Sequence, residues 1–340
     1  MIDLVFSQSI RDFLLVYLPK QRVCSGNTIT AYRRSINQFV TYMAEKKGCD
    51  LSGIGFDDLT RDNVISFLDD SQIACQNSPA TRNSKLYALR SFAKYAGTIS
   101  ADRFSAFIEL STAPVQREEK RVVGYISADA VKCVLEKPNT ATKIGIRDQC
   151  FMVLMYDTAA RDQEMLDLKL ESLSLSGTAP YVRIIGKGNK MRHVPIMQKT
   201  VGHLHNYIRI FHPNPIGTDF LFYTVSHGSH HQMSDDNAAR FIEKYGKMAQ
   251  AGCVEMPAKL TPHMFRHARA LHLYRNGMPL PIISEFLGHA SIQSTQVYAY
   301  ADTEMKRKAI EKARGASNLP NDDAPIWQTD DDVIRKLYGL

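Results

Sequence analysis

Toward its C-terminus the chain gathers residue types that can handle a phosphodiester. It reads Thr261-Pro262-His263-Met264-Phe265-Arg266-His267, then Leu287-Gly288-His289, then Tyr298. His263 and Arg266 stand three apart, so on a helix they share a face and can reach one bound group together. A guanidinium offers a phosphate two parallel donors. An imidazole, with an ordinary pKa of about 6.5, can take or give a proton, and a phenol can attack phosphorus as a nucleophile. Upstream, Arg161 follows an apolar stretch where burial normally excludes a charge, and Glu164 lies three residues on. Lys187 stands between Gly186 and Gly188, where a turn tip could carry it into a cleft. Each residue also has a plainer reading. His263 and Arg266 could be a surface pair, Arg161 an ion-pair partner of Glu164 or Asp157, Lys187 a solvated loop charge, and Tyr298 core packing beside Val297 and Tyr300.

These side chains need a scaffold, and the hydrophobic pattern predicts a mainly α one. Residues 144–158 predict a buried helix ending just before Arg161, and Leu166, Leu168 and Leu170 continue a helix into a short strand. Val182 and Ile184, then Val194 and Ile196, alternate with polar neighbours around Gly186-Lys187-Gly188-Asn189-Lys190, which predicts a β-hairpin over 181–196. Further helices are expected at 127–135, 198–211, 234–251, 263–276, 281–287 and 292–299. The first hundred residues predict a helical bundle. One apolar run from Phe6 to Leu18 is ended by Pro19, and a second from Ile29 to Met43 is opened by Asn27 or Thr28 and closed by Gly48. A third helix is expected at 60–68, and a fourth from Ser78-Pro79 to Tyr95 with Gly97 as its stop. Arg33, Arg34, Arg82, Lys85, Arg90 and Lys94 decorate this bundle, either as solvated outer charges or as a track for a phosphate backbone. The Pro-containing, charged stretch 113–123 is read as a linker. The resulting division is a helical domain at 1–112, an α-rich domain with a small hairpin at 124–316, and a tail at 317–340.

Bulk properties narrow the partner. The 340 residues are 44% hydrophobic and 23% charged, ordinary for a globular protein and long enough for two cores. A net charge of +7 and an isoelectric point near 9.0 favour a polyanion, nucleic acid or an anionic membrane surface. The apolar run Phe151 to Tyr156 is far too short to span a bilayer, and the start, Met1-Ile2-Asp3-Leu4, lacks a secretory pattern. The six scattered cysteines contain no C-x-x-C pair, which fits reduced thiols in a cytoplasmic protein. His227, His230 and His231 lie in a Gly/Ser-rich stretch without Cys or carboxylate partners at ligand spacing, so a solvated loop is expected there.

Order and spacing together say more than any single residue. Arg161-x-x-Glu164, Gly186-Lys187-Gly188 on a hairpin, His263-x-x-Arg266-His267, Leu287-Gly288-His289 and a tyrosine nine residues on resemble the tyrosine recombinase (phage-integrase) family, the Xer recombinases above all. The N-terminal Thr28-x-x-x-Tyr32-x-x-x-Ile36-x-x-Phe39 is similar to that family's core-binding domain, so the resemblance covers nearly the whole chain. It implies the DNA breaking-rejoining fold and a site-specific DNA recombinase acting through a 3′-phosphotyrosyl intermediate and a Holliday junction. By this resemblance Tyr298 is the nucleophile, Arg161 and Arg266 grip the scissile phosphate, and Lys187 protonates the departing 5′-oxygen. His263 assists proton transfer, His289 hydrogen-bonds the phosphate, and Glu164 orients Arg161 or the neighbouring histidine. Tyr300 and Lys190 are the second candidates for nucleophile and acid. Implied partners are double-stranded recombination sites and other copies of the chain, as a tetramer on two sites, with the tail as the segment that would be exchanged between subunits. No cofactor, metal or membrane is expected, and the implied location is cytoplasmic, on the nucleoid when bound to DNA. The family usually has Gly-Leu before the first arginine where this chain has Ala159-Ala160. A DNA-binding regulator that keeps the fold without catalysis, and a topoisomerase of the tyrosine 3′-linking kind, remain compatible alternatives.

Overall fold

A computed structural model describes residues 4–118, 126–186, 188–289 and 291–301, with 307 and 335. The chain divides into two compact units, Met1–Arg121 and Val122–Leu340. Lys187 and the tail, apart from Arg335, lie outside the described residues.

In the first unit, α1 (Leu4–Asp12) runs into a π-helical segment, Phe13–Gln21, that passes through Pro19. Proline was expected to end this helix. The wider π turn tolerates a missing N–H and gives the ring room, so the chain continues two residues beyond it. Helix α2 (Gly26–Lys47) is capped by Ser25, whose hydroxyl accepts from the Thr28 amide, so neither Asn27 nor Thr28 is the cap. Its other end is closed by Gly48 at φ 61°, as the pattern predicts. Helix α3 (Arg61–Cys75) starts at Thr60 and outruns its predicted end. Helix α4 (Pro79–Ile99) continues past Gly97, where a Cβ would lie 2.8 Å from the Phe104 ring. That glycine therefore makes room for α5 (Phe104–Thr112) to pack and stops nothing. In the unit's core Phe6, Phe13, Phe39, Phe67 and Phe92 are buried together with aliphatic side chains such as Leu86 and Leu89.

Of this unit's basic residues, two are buried and a third, Arg90, is half-buried and tied to the backbone. Arg82 is 4% exposed and pairs with Asp69 at 2.8 Å, and Lys85 is 8% exposed and donates to the Ser71 hydroxyl. Arg90 holds the end of α5 by donating to the carbonyls of Leu110, Ser111 and Ala113. A buried charge stays only where such partners satisfy it, so Arg82 and Lys85 act as internal ties, and Arg90 as a clasp on the end of α5, and not as a solvated stripe. Arg33, Arg34 and Lys94 are exposed.

The second unit is built around α7 (Lys143–Thr158), which packs on α6 (Ala128–Leu135), α9 (Gln198–Phe211) and α11 (Pro262–Arg275). Phe151 and Met155 of α7, Tyr207, Phe222 and Phe241 fill its core. Thr142 caps α7 by accepting from the Gly145 amide, and a side chain at Gly145 would collide with the Asn139 carbonyl. After α8 (Asp162–Leu166), strands β1 (Leu173–Ser174), β2 (Tyr181–Gly186) and β3 (Lys190–Pro195) form an antiparallel sheet in that order. In the hairpin Val182 faces Val194 and Ile184 faces Arg192. A second hairpin, β4 (Tyr223–Ser226) with β5 (Ser229–Gln232), replaces the loop expected around the histidines. His227 and Gly228, both at positive φ, make its two-residue turn, and His230 stacks on Tyr223 with ring centres 3.9 Å apart. Helices α10 (Asp235–Gln250), α12 (Leu280–Leu287) and α13 (Gln293–Ala301) complete the described part. Among the described residues no helix is long and apolar enough to cross a membrane, and the cysteines are unpaired.

Candidate active site

The end of α7 delivers the first arginine. Ala159 closes the helix in the left-handed conformation, φ 48°, ψ 29°, which costs an L residue about 1 kcal/mol relative to glycine. Arg161 follows as the cap residue of α8. Its Nη1 donates to Glu164 Oε1 at 2.7 Å, while its backbone amide donates to Oε2 at 2.9 Å. The Glu164 carboxylate is held from the other side by Arg192 of β3, whose Nη2 and Nη1 donate at 2.7 and 3.2 Å. Burial alone would raise the Glu164 carboxyl, but the bonds from Arg192 and Arg161 outweigh it and hold it below the usual range. Asp157, which the sequence also offers to Arg161, instead pairs with Arg269 at 2.9 Å.

Helix α11 carries His263, Arg266 and His267. Arg266 is 4% exposed, and two carbonyls at chain turns pin it: Nη1 donates to Ala159 at 2.6 Å and Nη2 to Leu287 at 2.7 Å. Those contacts tie the second arginine to the segments that present Arg161 and His289, and they leave the rest of its donor fork for a ligand. Burial first, and the Arg161 charge next, bring its pKa down to about 10, so it remains a cation at neutral pH. Gly288 ends α12 at φ 64° and turns the chain so that His289 Nδ1 sits 2.8 Å from the Thr295 hydroxyl. Arg161 Nη2 lies 3.5 Å from the Gly288 carbonyl.

Tyr298 of α13 is 2% exposed, packed with Ala159, Ala270, Leu271, Ile283 and Leu287. Its hydroxyl is 2.9 Å from His267 Nδ1. Burial raises the phenol's pKa, and the charges of Arg266 and then Arg161 oppose that rise, which places both guanidiniums within electrostatic reach of it. His267 and His289 are each pushed down to about 4, mainly by burial and then by neighbouring charges, and His263 is lowered for the same reasons. His267 and His289 are therefore neutral at pH 7, and a neutral imidazole nitrogen can accept the phenol proton. Beside these groups opens a cleft of about 1060 Å³ lined by Arg161, Lys190, Arg192, Arg269 and His289, with Met191 and Phe286 among its apolar walls.

Arg161, Glu164, Arg266, His289 and Tyr298 thus converge within one unit, and His263 is on the same helix as Arg266. Two participants had no predicted role. His267 was visible only as a second histidine beside Arg266, and its contact with Tyr298 needs the crossing of α11 and α13. Arg192 had a local signal: it alternates with the buried Val194 and opposes the buried Ile184, so its side chain belongs to the inner face of the hairpin.

Comparison with known proteins agrees with this arrangement. A family model described as the phage integrase family matches residues 125–305, and one described as the phage integrase N-terminal SAM-like domain matches residues 11–98. The tyrosine recombinase XerD of Listeria monocytogenes is 31% identical over 89% of this chain and 97% of its own. A putative integrase/recombinase of Sinorhizobium fredii, y4rC, is 27% identical over 97% of both. Among solved structures, XerH bound to a palindromic difH substrate shares the fold with a TM-score of 0.66 at 20% identity, over 85% of this chain and 81% of that one. The Tn1549 transposon integrase with right-end DNA gives 0.66 at 16% identity, over 91% and 99%. The chain belongs to the phage integrase family of tyrosine site-specific recombinases.

The depressed histidines have a consequence for stability. The native state keeps these rings neutral while the unfolded chain binds protons from about pH 6.5 downward, so unfolding takes up protons and acid weakens the fold. The loss accumulates from about pH 6.5 to about 4. Asp162, raised by burial to about 6, works in the opposite sense over most of that range. We expect the thermal midpoint to fall between pH 7 and 4, and to fall less steeply in a His267→Gln, His289→Gln double variant. Parallel curves for the two proteins would contradict the assignment.

Proposed function

We propose that this chain cuts and rejoins double-stranded DNA with Tyr298 as nucleophile, by the following chemistry. The Tyr298 hydroxyl gives its proton to a neutral imidazole, His267 in the resting contact, with His263 on the same helix able to share it. The phenolate oxygen attacks the scissile phosphorus, a bond from Tyr298 to the 3′-phosphate forms, and the bond to the 5′-oxygen breaks. Lys187, between Gly186 and Gly188 in the sequence, or Lys190 gives that oxygen its proton. Arg161, Arg266 and His289 face the non-bridging oxygens, where charge gathers in the transition state. Preorganised donors of this kind are worth about 10²–10³ in rate each. Rejoining is the reverse, with a 5′-hydroxyl of the partner strand as attacker, and the phosphodiester energy is kept in the protein–DNA bond.

The observation that carries this reading is the contact of the Tyr298 hydroxyl with His267, one residue from Arg266 on the same helix. It favours an intact catalyst over a regulator of the same fold. Strand exchange would proceed by four copies on two sites through a Holliday junction, with exposed Arg33, Arg34 and Lys94 of the first unit on the DNA backbone. The test is a nicked suicide duplex that loses its 5′-hydroxyl fragment after cleavage. The expected product is a covalent complex with the 3′ end blocked by protein and the 5′ end free as hydroxyl. Absence of any adduct on active sites would favour the regulator, and relaxation of supercoils with no recombinant would favour a topoisomerase.

A further inference from the structure

We infer that Arg192 is a positioning residue of the cleavage reaction, acting on the phosphate-gripping Arg161 through Glu164. This rests on the proposed role of Arg161. Arg192 lies in a slot that two glycines keep open. A Cβ on Gly288 would stand 2.9 Å from its Nη1, and one on Gly186 would stand 3.3 Å from Nη1 and 3.1 Å from Glu164 Oε1. Its Nε donates to the Phe286 carbonyl at 3.1 Å, so one guanidinium joins β3, α8 and the end of α12. The side chain is only 11% exposed, and each of its contacts uses the planar fork in a way that an ammonium cannot copy.

The arrangement solves a specific problem. A buried carboxylate with Arg161 as its sole cation would turn fully toward it and cancel the charge meant for the phosphate. With Arg192 taking up both carboxylate oxygens, Glu164 orients Arg161 through one short bond at Nη1 and one to its backbone amide. Nη2 of Arg161 then stays toward the Gly288 carbonyl and the cleft. Removing Arg192 removes that counter-pull, and Arg161 loses both effective charge and aim.

Single-turnover cleavage by the full chain on two suicide duplexes tests this. One carries the natural scissile phosphodiester, and the other a methylphosphonate, which lacks one anionic oxygen and so needs less from Arg161. Arg192→Gln should slow phosphodiester cleavage about 10²-fold, the scale of a misaimed group, with DNA affinity within a few-fold of wild type. On the methylphosphonate the slowing should shrink to a few-fold. In a Glu164→Gln background the Arg192→Gln effect should largely disappear. Arg192→Lys keeps the charge and the stem but not the fork, and should behave like Arg192→Gln, so it serves as the reading if the glutamine variant does not fold. Equal slowing on both substrates, full activity in either variant, or loss of folding in both would overturn the inference. Failure of the wild type on the natural duplex would instead overturn the proposed function beneath it.

Discussion

Tyr298→Phe is expected to abolish the covalent protein–DNA complex, with a cleavage rate at least about 10⁴-fold below wild type, while binding to the same duplex is retained. The loss is total in kind because the phenolic oxygen itself becomes the link to phosphorus, and no general acid or base can replace a missing nucleophile. Stability should change little. Among the described residues the hydroxyl's one hydrogen bond is to His267, contributing about 1 kcal/mol, and the ring that fills the pocket among Ala159, Leu271 and Leu287 is unchanged. Separate readings of adduct formation, DNA affinity and thermal midpoint check all three parts. An adduct formed at normal rate by Tyr298→Phe would transfer the role to another residue, Tyr300 being the nearest in sequence.

Arg266→Ala should lower cleavage by about 10³-fold or more and, unlike Tyr298→Phe, should also destabilise the second unit. Its guanidinium is buried and satisfies the carbonyls of Ala159 and Leu287. Truncation takes this donor from both acceptors, at about 1–3 kcal/mol for each one left unsatisfied where water cannot reach. Arg266→Lys separates the two effects. It keeps a cation but not the paired donors, so cleavage should stay down about 10²-fold while part of the stability returns. Equal recovery of rate and midpoint in the lysine variant would mean that only a charge is needed there.

Much of this site was legible in the sequence because the relevant signals are local. A turn and a cap can be read within a few residues, so the pairing of 181–186 with 190–195, the Gly48 stop and the helix ending before Arg161 needed no tertiary knowledge. What could not be read depends on neighbours distant in sequence. Gly97 looked like a helix stop and is instead a space for Phe104. Arg82 and Lys85 looked like surface charges and are internal ties, because Asp69 and Ser71 face them from α3. Pro19 looked like an end because the π geometry that admits it has no sequence signature. The second hairpin was missed since its strands are short and polar, with only Tyr223 and Val225 suggesting one. His267 and Arg192 gained their parts only when α11 met α13 and β3 met α8 and α12.

The most direct test is to digest the trapped protein–DNA complex and identify the residue that carries the nucleotide. A peptide modified at Tyr298 and joined to a 3′-phosphate is the expected result. Linkage through a 5′-phosphate, or at any other side chain, would contradict the assembly of nucleophile and paired arginines described above.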